Sequence, residues 1–201
     1  MLKLPNLLTF SRILVIPLLV ATFYIEPPLG NWMALILFIL AGITDFLDGY
    51  VARSMNLVSR LGRFLDPIAD KLLVAAAIVM MVAFERISGL AVLAALVILC
   101  REILVSGLRE FLAELQVRVP VTRLAKWKTA LQIIAICFLL IGSAAPWNIP
   151  ARDIGEISLW IAALLTLYTG YDYLRAGLRH MAEEDETATE SEPAEVSKTN
   201  D

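Results

Sequence analysis

The sequence predicts an all-α polytopic membrane protein with six transmembrane helices. Of its 201 residues, 59% are hydrophobic and the mean hydropathy is +0.73, whereas soluble domains are about half apolar. Stretches of roughly 20 mostly apolar residues, long enough to cross a bilayer, follow one another along the chain. Their polar ends alternate between rich and poor in Lys and Arg. The predicted spans are 7–25, 32–51, 67–84, 89–108, 127–146 and 156–176.

The positive charges predict how these spans are oriented. One side of the predicted bundle carries nearly all of the Lys and Arg, and the other carries only Arg86 and Arg152. Since cytosolic loops are enriched in Lys and Arg, we expect the cation-rich side, with both termini, to face the cytosol. Trp32 and Trp147 near the cation-poor side are typical of residues at a membrane interface.

Composition also divides the chain into two parts. Residues 1–180 form the predicted membrane domain, which is net basic and suited to anionic phosphates and lipid headgroups. Residues 181–201 carry eight acidic side chains against Lys198 alone, with almost no large apolar residue. We expect this tail to be disordered and dispensable for chemistry.

Cysteine and histidine usage excludes one class of metal site. Cys100 and Cys137 lie in apolar runs typical of core residues, and His180 is the only histidine. Zinc chemistry built on His and Cys is therefore not expected. No nucleic-acid partner is expected either.

Four aspartates flank the predicted turn between the second and third spans. Asp45 and Asp48 are three residues apart and Asp66 and Asp70 four apart, so each pair shares a helix face. The four carboxylates can converge at the cytosolic membrane edge, where their repulsion favours bound cations. An all-oxygen ligand set favours Mg²⁺ or Mn²⁺, and two such ions can clamp a diphosphate.

Neighbouring residues suit a bound diphosphate. Gly49 and Gly62 permit close backbone approach, and Arg53 offers a bidentate phosphate partner. The alternative is that the aspartates are solvated loop acids or intramembrane ion pairs. The cost of at least about 2.5–3.5 kcal/mol for a charge in a bilayer favours the functional interpretation.

These residues carry a family resemblance. Eight positions match the signature D-x2-D-G-x2-A-R-x8-G-x3-D-x3-D of the CDP-alcohol phosphotransferases: Asp45, Asp48, Gly49, Ala52, Arg53, Gly62, Asp66 and Asp70. The resemblance covers almost the whole chain before the tail. It implies a six-helix homodimer in a bacterial-type cytoplasmic membrane, with a polar cavity and active site facing the cytosol.

The resemblance also implies roles for individual residues. Asp70 would be the general base. The two divalent cations, Mg²⁺ or Mn²⁺, would be held by Asp45, Asp48, Asp66 and Asp70. The contacts to the CDP-linked lipid would come from Gly49, Ala52, Arg53, Ser59 and Gly62.

The N-terminal stretch P-N-L-L-T-F-S-R places Asn6, Thr9 and Arg12 on one helix face. Pro5 and the polar caps are also typical of a simple helix start, which is the alternative interpretation. It also resembles the N-terminus of the phosphatidylglycerophosphate synthase branch of the family. That resemblance implies that Asn6, Thr9 and Arg12 help hold the CDP-lipid.

A second basic cluster lies outside the signature. Arg101 and Arg109 are eight residues apart and point the same way on a helix, and Lys126 and Lys128 begin the fifth predicted span. Together they could bind an acceptor that carries its own phosphate. The alternatives are charges that only set topology and, for Glu102, a structural ion pair with Arg101. The strings R-E-I-L-V-S-G-L-R-E and K-W-K-T-A-L-Q resemble the same branch, whose acceptor is sn-glycerol 3-phosphate.

The expected reaction joins CDP-diacylglycerol and sn-glycerol 3-phosphate to give phosphatidylglycerophosphate and CMP. Other family members, which make phosphatidylinositol phosphate, phosphatidylserine or cardiolipin, are the nearest alternatives. A cation transporter is a more distant one, because transporters bind near the bilayer midplane and these acids lie at span ends.

Overall fold

The protein is an all-helical bundle in the computed structural model. The model describes the backbone of residues 4–54, 60–114 and 123–191, and the side chains of 13–44, 68–112, 127–171 and 174–175. The predicted all-α class is confirmed for this part of the chain. Its helices are α1 (Leu4–Thr22), α2 (Leu29–Ser54), α3 (Arg60–Ala83), α4 (Ala91–Glu114), α5 (Arg123–Ile141) and α6 (Ala151–Ser191).

Three of these helices are long and apolar enough to cross a membrane. The qualifying segments within the described residues are Ala91–Leu112 in α4, Trp127–Ala144 in α5 and Ala151–Tyr171 in α6. Ile13–Thr22 and Leu29–Thr44 are shorter apolar helical segments. The three long segments support an integral membrane protein, while the count of six spans stays a prediction.

The last helix is longer than a bilayer requires. Its 41 residues extend about 60 Å at 1.5 Å per residue, against a hydrocarbon core of about 30 Å. Its apolar segment ends at Tyr171, and the helix continues to Ser191. Helical backbone therefore enters the acidic tail, whose predicted boundary after residue 180 stays a prediction.

The helices pack as two groups of three. α1 lies against α2 and α3, α6 lies against α4 and α5, and contacts between α2 and α5 join the groups most extensively. α5 and α6 share the most extensive contact, and at Gly155 an added Cβ would stand 2.7 Å from Leu139 Cγ. Only glycine permits this approach of the two helices.

Apolar side chains cover much of the outside of the bundle as well as its interior. Leu19, Ile98 and Leu159 are fully buried, as expected of a packed core. Many large apolar side chains instead lie on the surface, among them Leu18, Leu93, Ile103, Leu164 and Tyr168. Such a surface suits contact with lipid tails and is unusual for a water-soluble protein.

A buried polar network fastens one end of the bundle. Asn31, at the start of α2, donates from Nδ2 to the carbonyl of Ile141 at 2.9 Å. Arg86 donates to Asn31 Oδ1 at 2.7 Å and to the Leu140 carbonyl at 2.6 Å. The Arg86 guanidinium also lies 4.6 Å from the centre of the Phe23 ring. The network therefore joins α2, the end of α5 and the residues that follow α1 and α3.

A left-handed turn after α3 places Arg86 in this network. The amide of Arg86 donates to the Met81 carbonyl at 2.8 Å, and Glu85 has a φ of 56°. This pattern is typical of a helix C-terminus closed by a left-handed residue. Burial lowers the pKa of Arg86 below its ordinary value, but an arginine this basic stays charged at neutral pH.

Replacement of Asn31 by alanine should destabilise the protein, because it leaves the Ile141 carbonyl and one Arg86 donor without this partner. Each unsatisfied buried group costs about 1–3 kcal/mol. Denaturant titration in detergent micelles measures the loss. The control is Glu156→Gln, which removes an exposed ion pair of 3.1 Å with Arg152 and should change stability by under about 1 kcal/mol. Equal effects of the two substitutions would contradict the structural role of the network.

Candidate active site

A cavity of about 830 Å³, lined by both charged and apolar side chains, lies between α3, α4 and α5. Its volume falls in the range of small-molecule binding sites. Its walls combine apolar side chains with cations, carboxylates and amides. The lining residues are Asp70, Lys71, Val74, Ala75, Leu99, Arg101, Glu102, Ile103, Arg109, Lys128, Thr129, Ala130, Gln132 and Ile133.

Four of the predicted site residues meet at this cavity. Asp70 on α3, Arg101 and Arg109 on α4, and Lys128 on α5 all contribute to its wall. The carboxylate expected to act as general base and three of the four cations expected to hold the acceptor thus share one space. The fourth cation, Lys126, lies on α5 with its side chain outside the described part.

Helix direction explains why residues so far apart in sequence converge. α3 begins, α4 ends and α5 begins at the same end of the bundle, because successive antiparallel helices place alternate termini together. Asp70 lies in the first half of α3, Arg101 near the middle of α4 and Arg109 in its second half, and Lys128 in the first turns of α5. The charges therefore gather between the apolar middle of the bundle and one end.

Glu102 balances the buried cations of the cavity. Lys128 Nζ donates to Glu102 Oε1, and Arg101 Nη1 lies 3.4 Å from the same oxygen. The side chains of Lys128 and Arg101 are 5% and 10% exposed, while that of Glu102 is 24% exposed. Buried charges in an apolar bundle require such partners. The sequence left open whether Glu102 pairs with Arg101, and the structure shows that it contacts both cations.

Several further residues at or beside the cavity were not singled out from the sequence. Lys71 Nζ contacts Ser106 Oγ, which links α3 to α4. Gln132 is buried one helical turn after Lys128. Its four-residue spacing from Lys128 could have predicted that both side chains lie on the same helix face. Thr169 on α6 accepts a hydrogen bond from Arg101, a contact between distant helices that spacing cannot reveal.

The signature residues lie on two helices. Asp45, Asp48, Gly49, Ala52 and Arg53 belong to α2, and Gly62, Asp66 and Asp70 belong to α3. Among these, Asp70 alone has a described side chain, which is exposed at the cavity. Asn6, Thr9 and Arg12 belong to α1, with side chains outside the described part, and Ser59 lies outside the described residues.

Of the four aspartates predicted to hold metal ions, only Asp70 has a described side chain. Within the side chains that the structure describes, no three Asp, Glu, His or Cys residues lie close enough to hold an ion. Asp45, Asp48 and Asp66 fall outside that set, so the four-carboxylate cluster stays a prediction. The donor chemistry fits hard cations, since every proposed ligand is a carboxylate.

The three long apolar helices and the charged cavity fit a membrane-embedded enzyme. The family model for CDP-alcohol phosphatidyltransferase matches residues 2–168, and the chain belongs to this family. The predicted family membership is confirmed.

Three similar proteins share the name of one enzyme within this family. A Rickettsia bellii protein is 53% identical over 87% of this chain and 94% of its own length. Proteins of Cereibacter sphaeroides and Bacillus subtilis are each 38% identical, over 90% and 86% of this chain and 98% and 94% of their own lengths. All three carry the name CDP-diacylglycerol–glycerol-3-phosphate 3-phosphatidyltransferase.

Removal of the Glu102 charge should destabilise the bundle more than removal of Lys128. Glu102→Gln removes the carboxylate that pairs with the buried Lys128 ammonium beside Arg101, which should cost about 3 kcal/mol or more. Lys128→Met should cost less, because Arg101 still contacts Glu102. The double variant should regain stability relative to Glu102→Gln alone, as measured by denaturant titration in detergent micelles.

The matched control is Glu110→Gln, an exposed carboxylate on the same helix, which should change stability by less than about 0.5 kcal/mol. Additive losses in the double variant would contradict the coupling of Glu102 to Lys128.

Proposed function

We propose that this protein transfers the phosphatidyl group of CDP-diacylglycerol to sn-glycerol 3-phosphate, giving phosphatidylglycerophosphate and CMP. The observation that carries the proposal is the cavity shared by Asp70, Arg101, Arg109 and Lys128. It combines a carboxylate able to accept a proton with cations able to hold a phosphate. Family membership and the names of relatives at 38–53% identity agree with this reaction.

The cations favour a phosphorylated acceptor. Arg101 and Arg109 offer planar guanidinium groups that bind phosphate oxygens in pairs, and Lys128 adds a compact ammonium. A serine acceptor brings no phosphate for them to bind. An inositol phosphate would suit them equally, and the relatives' names favour glycerol 3-phosphate over it.

The CDP-linked lipid is proposed to bind beside the signature residues of α1, α2 and α3. Its contacts would be Asn6, Thr9, Arg12, Gly49, Ala52, Arg53, Ser59 and Gly62. Two divalent cations, Mg²⁺ or Mn²⁺, would be held by Asp45, Asp48, Asp66 and Asp70. When bound, they would stabilise negative charge on the diphosphate and on the leaving CMP.

Asp70 is proposed to start the reaction as general base. Its carboxylate takes the proton from the acceptor hydroxyl, and that oxygen attacks the phosphorus that carries the diacylglycerol. A new oxygen–phosphorus bond forms as the bond to the CMP oxygen breaks. Arg101, Arg109 and Lys128 hold the acceptor phosphate meanwhile, so that its hydroxyl stays beside Asp70 and its charge is kept from the carboxylates.

We propose that the reaction takes place at the cytosolic edge of a bacterial-type cytoplasmic membrane. The distribution of Lys and Arg supports an orientation with both termini and the cavity opening in the cytosol. We also propose that the protein has six membrane spans, that it forms a homodimer and that its catalytic unit ends near residue 180. In that arrangement the acyl chains of substrate and product stay in the bilayer.

Arg109→Ala should raise the KM for glycerol 3-phosphate roughly ten- to a hundredfold, because a hydrogen bond to a charged group contributes about 1.5–3 kcal/mol. The KM for CDP-diacylglycerol should stay within about twofold. Both constants are measured by CMP release from the full chain in detergent micelles with Mg²⁺. The control is Arg152→Ala, an exposed arginine on α6 in the cation-poor region, which should change neither constant. An unchanged acceptor KM in Arg109→Ala would contradict the acceptor assignment.

A further inference from the structure

α6 does not line the cavity but contacts one of its lining residues, Arg101. Arg101 Nη2 donates to Thr169 Oγ1 on α6 at 3.1 Å. The stem of Arg101 passes directly over Gly170, where an added Cβ would stand 3.1 Å from Cγ and 3.3 Å from Nε. Neither α6 residue lines the cavity, yet both contact a side chain that does.

Thr169 is arranged as a hydrogen-bond acceptor. It is buried, and its hydroxyl donates to the Leu165 carbonyl at 2.9 Å within α6. A hydroxyl has one hydrogen and two lone pairs. Because the hydrogen of Thr169 is donated to Leu165, its oxygen can only accept a hydrogen bond from another group. Arg101 is that group. The backbone of α6 thus fixes the direction from which the guanidinium must approach.

Gly170 provides the space for the Arg101 stem. Cβ contacts of 3.0–3.4 Å are tighter than nearly all real ones, so an alanine here would push the arginine aside by a few tenths of an ångström. Glu102 Oε1, 3.4 Å from Nη1, limits the guanidinium from another direction. The side chain therefore has little freedom to yield without turning its guanidinium within the cavity.

We infer that Thr169 and Gly170 are positioning residues for the acceptor phosphate, acting through Arg101. This inference rests on the proposed function, in which Arg101 binds that phosphate. Thr169 fixes the plane of the guanidinium by a hydrogen bond, and Gly170 fixes the path of its stem. A phosphate bound by a planar, bidentate group depends on that plane, so its loss weakens acceptor binding while the CDP-lipid site stays intact.

The test compares substitutions that differ in one feature each. Thr169→Val removes the hydroxyl while keeping a branched side chain, and Thr169→Ser keeps the hydroxyl. The KM for glycerol 3-phosphate should rise roughly tenfold in the valine variant, since the lost bond is to a charged group, and should stay within about twofold in the serine variant. The KM for CDP-diacylglycerol should be unchanged in both.

Gly170→Ala should likewise raise the acceptor KM, by about fivefold, since displacements below an ångström weaken a positioned contact. Its control is Gly107→Ala on α4, where a Cβ meets no heavy atom within 4 Å among the described residues beyond its own helix backbone. Gly107→Ala should leave every constant unchanged. Melting curves in detergent micelles establish that each variant is folded before its kinetics are compared.

A double-mutant cycle separates positioning from a structural role. If Thr169 acts through Arg101, Thr169→Val combined with Arg101→Ala should be no worse in acceptor KM than Arg101→Ala alone. Additive losses, or an equal rise in the KM for CDP-diacylglycerol, would overturn the inference. Failure of the proposed function would appear separately, as wild-type protein that does not transfer phosphatidyl groups to glycerol 3-phosphate.

Discussion

The contact of Glu102 with Lys128 and Arg101 is the interaction on which the cavity depends. Each cation is nearly buried in a bundle of apolar helices, where an unpaired charge is costly. Because Glu102 contacts both, one carboxylate allows α4 and α5 to bring two cations into the same wall. The bundle can therefore keep a net positive cavity without losing the apolar packing of its helices.

This arrangement places opposite requirements side by side. The predicted carboxylate cluster of α2 and α3 would need cations, and a phosphorylated acceptor would be repelled by those same carboxylates. Arg101, Arg109 and Lys128, a basic wall of the cavity that Asp70 also lines, would attract that acceptor phosphate. α6 contacts this basic wall indirectly, through the hydrogen bond of Thr169 with Arg101. The polar network around Arg86 closes the bundle elsewhere, at the end of α5.

The helical class and the family were predictable from the sequence. Several cavity residues were predictable too, because spacing within one helix fixes which residues share a face. Arg101 and Arg109, and Lys128 at the start of α5, were predictable in this way. The role of Glu102 as partner of both cations was not, since Lys128 comes from another helix. Lys71, Thr169 and Gly170 were missed for the same reason: their significance comes from contacts between helices. The convergence of the four aspartates stays a prediction from the signature.

The choice of acceptor shows whether the basic wall formed by Arg101, Arg109 and Lys128 selects a phosphorylated substrate. Purified full-length protein in detergent micelles would be given CDP-diacylglycerol and, in turn, glycerol 3-phosphate, glycerol, inositol phosphate, serine and phosphatidylglycerol. CMP release and the lipid product would be measured with Mg²⁺ and again with a chelator. CMP release should depend on Mg²⁺, be fastest with glycerol 3-phosphate and yield phosphatidylglycerophosphate. Equal or faster release with glycerol, serine or phosphatidylglycerol would contradict this selection.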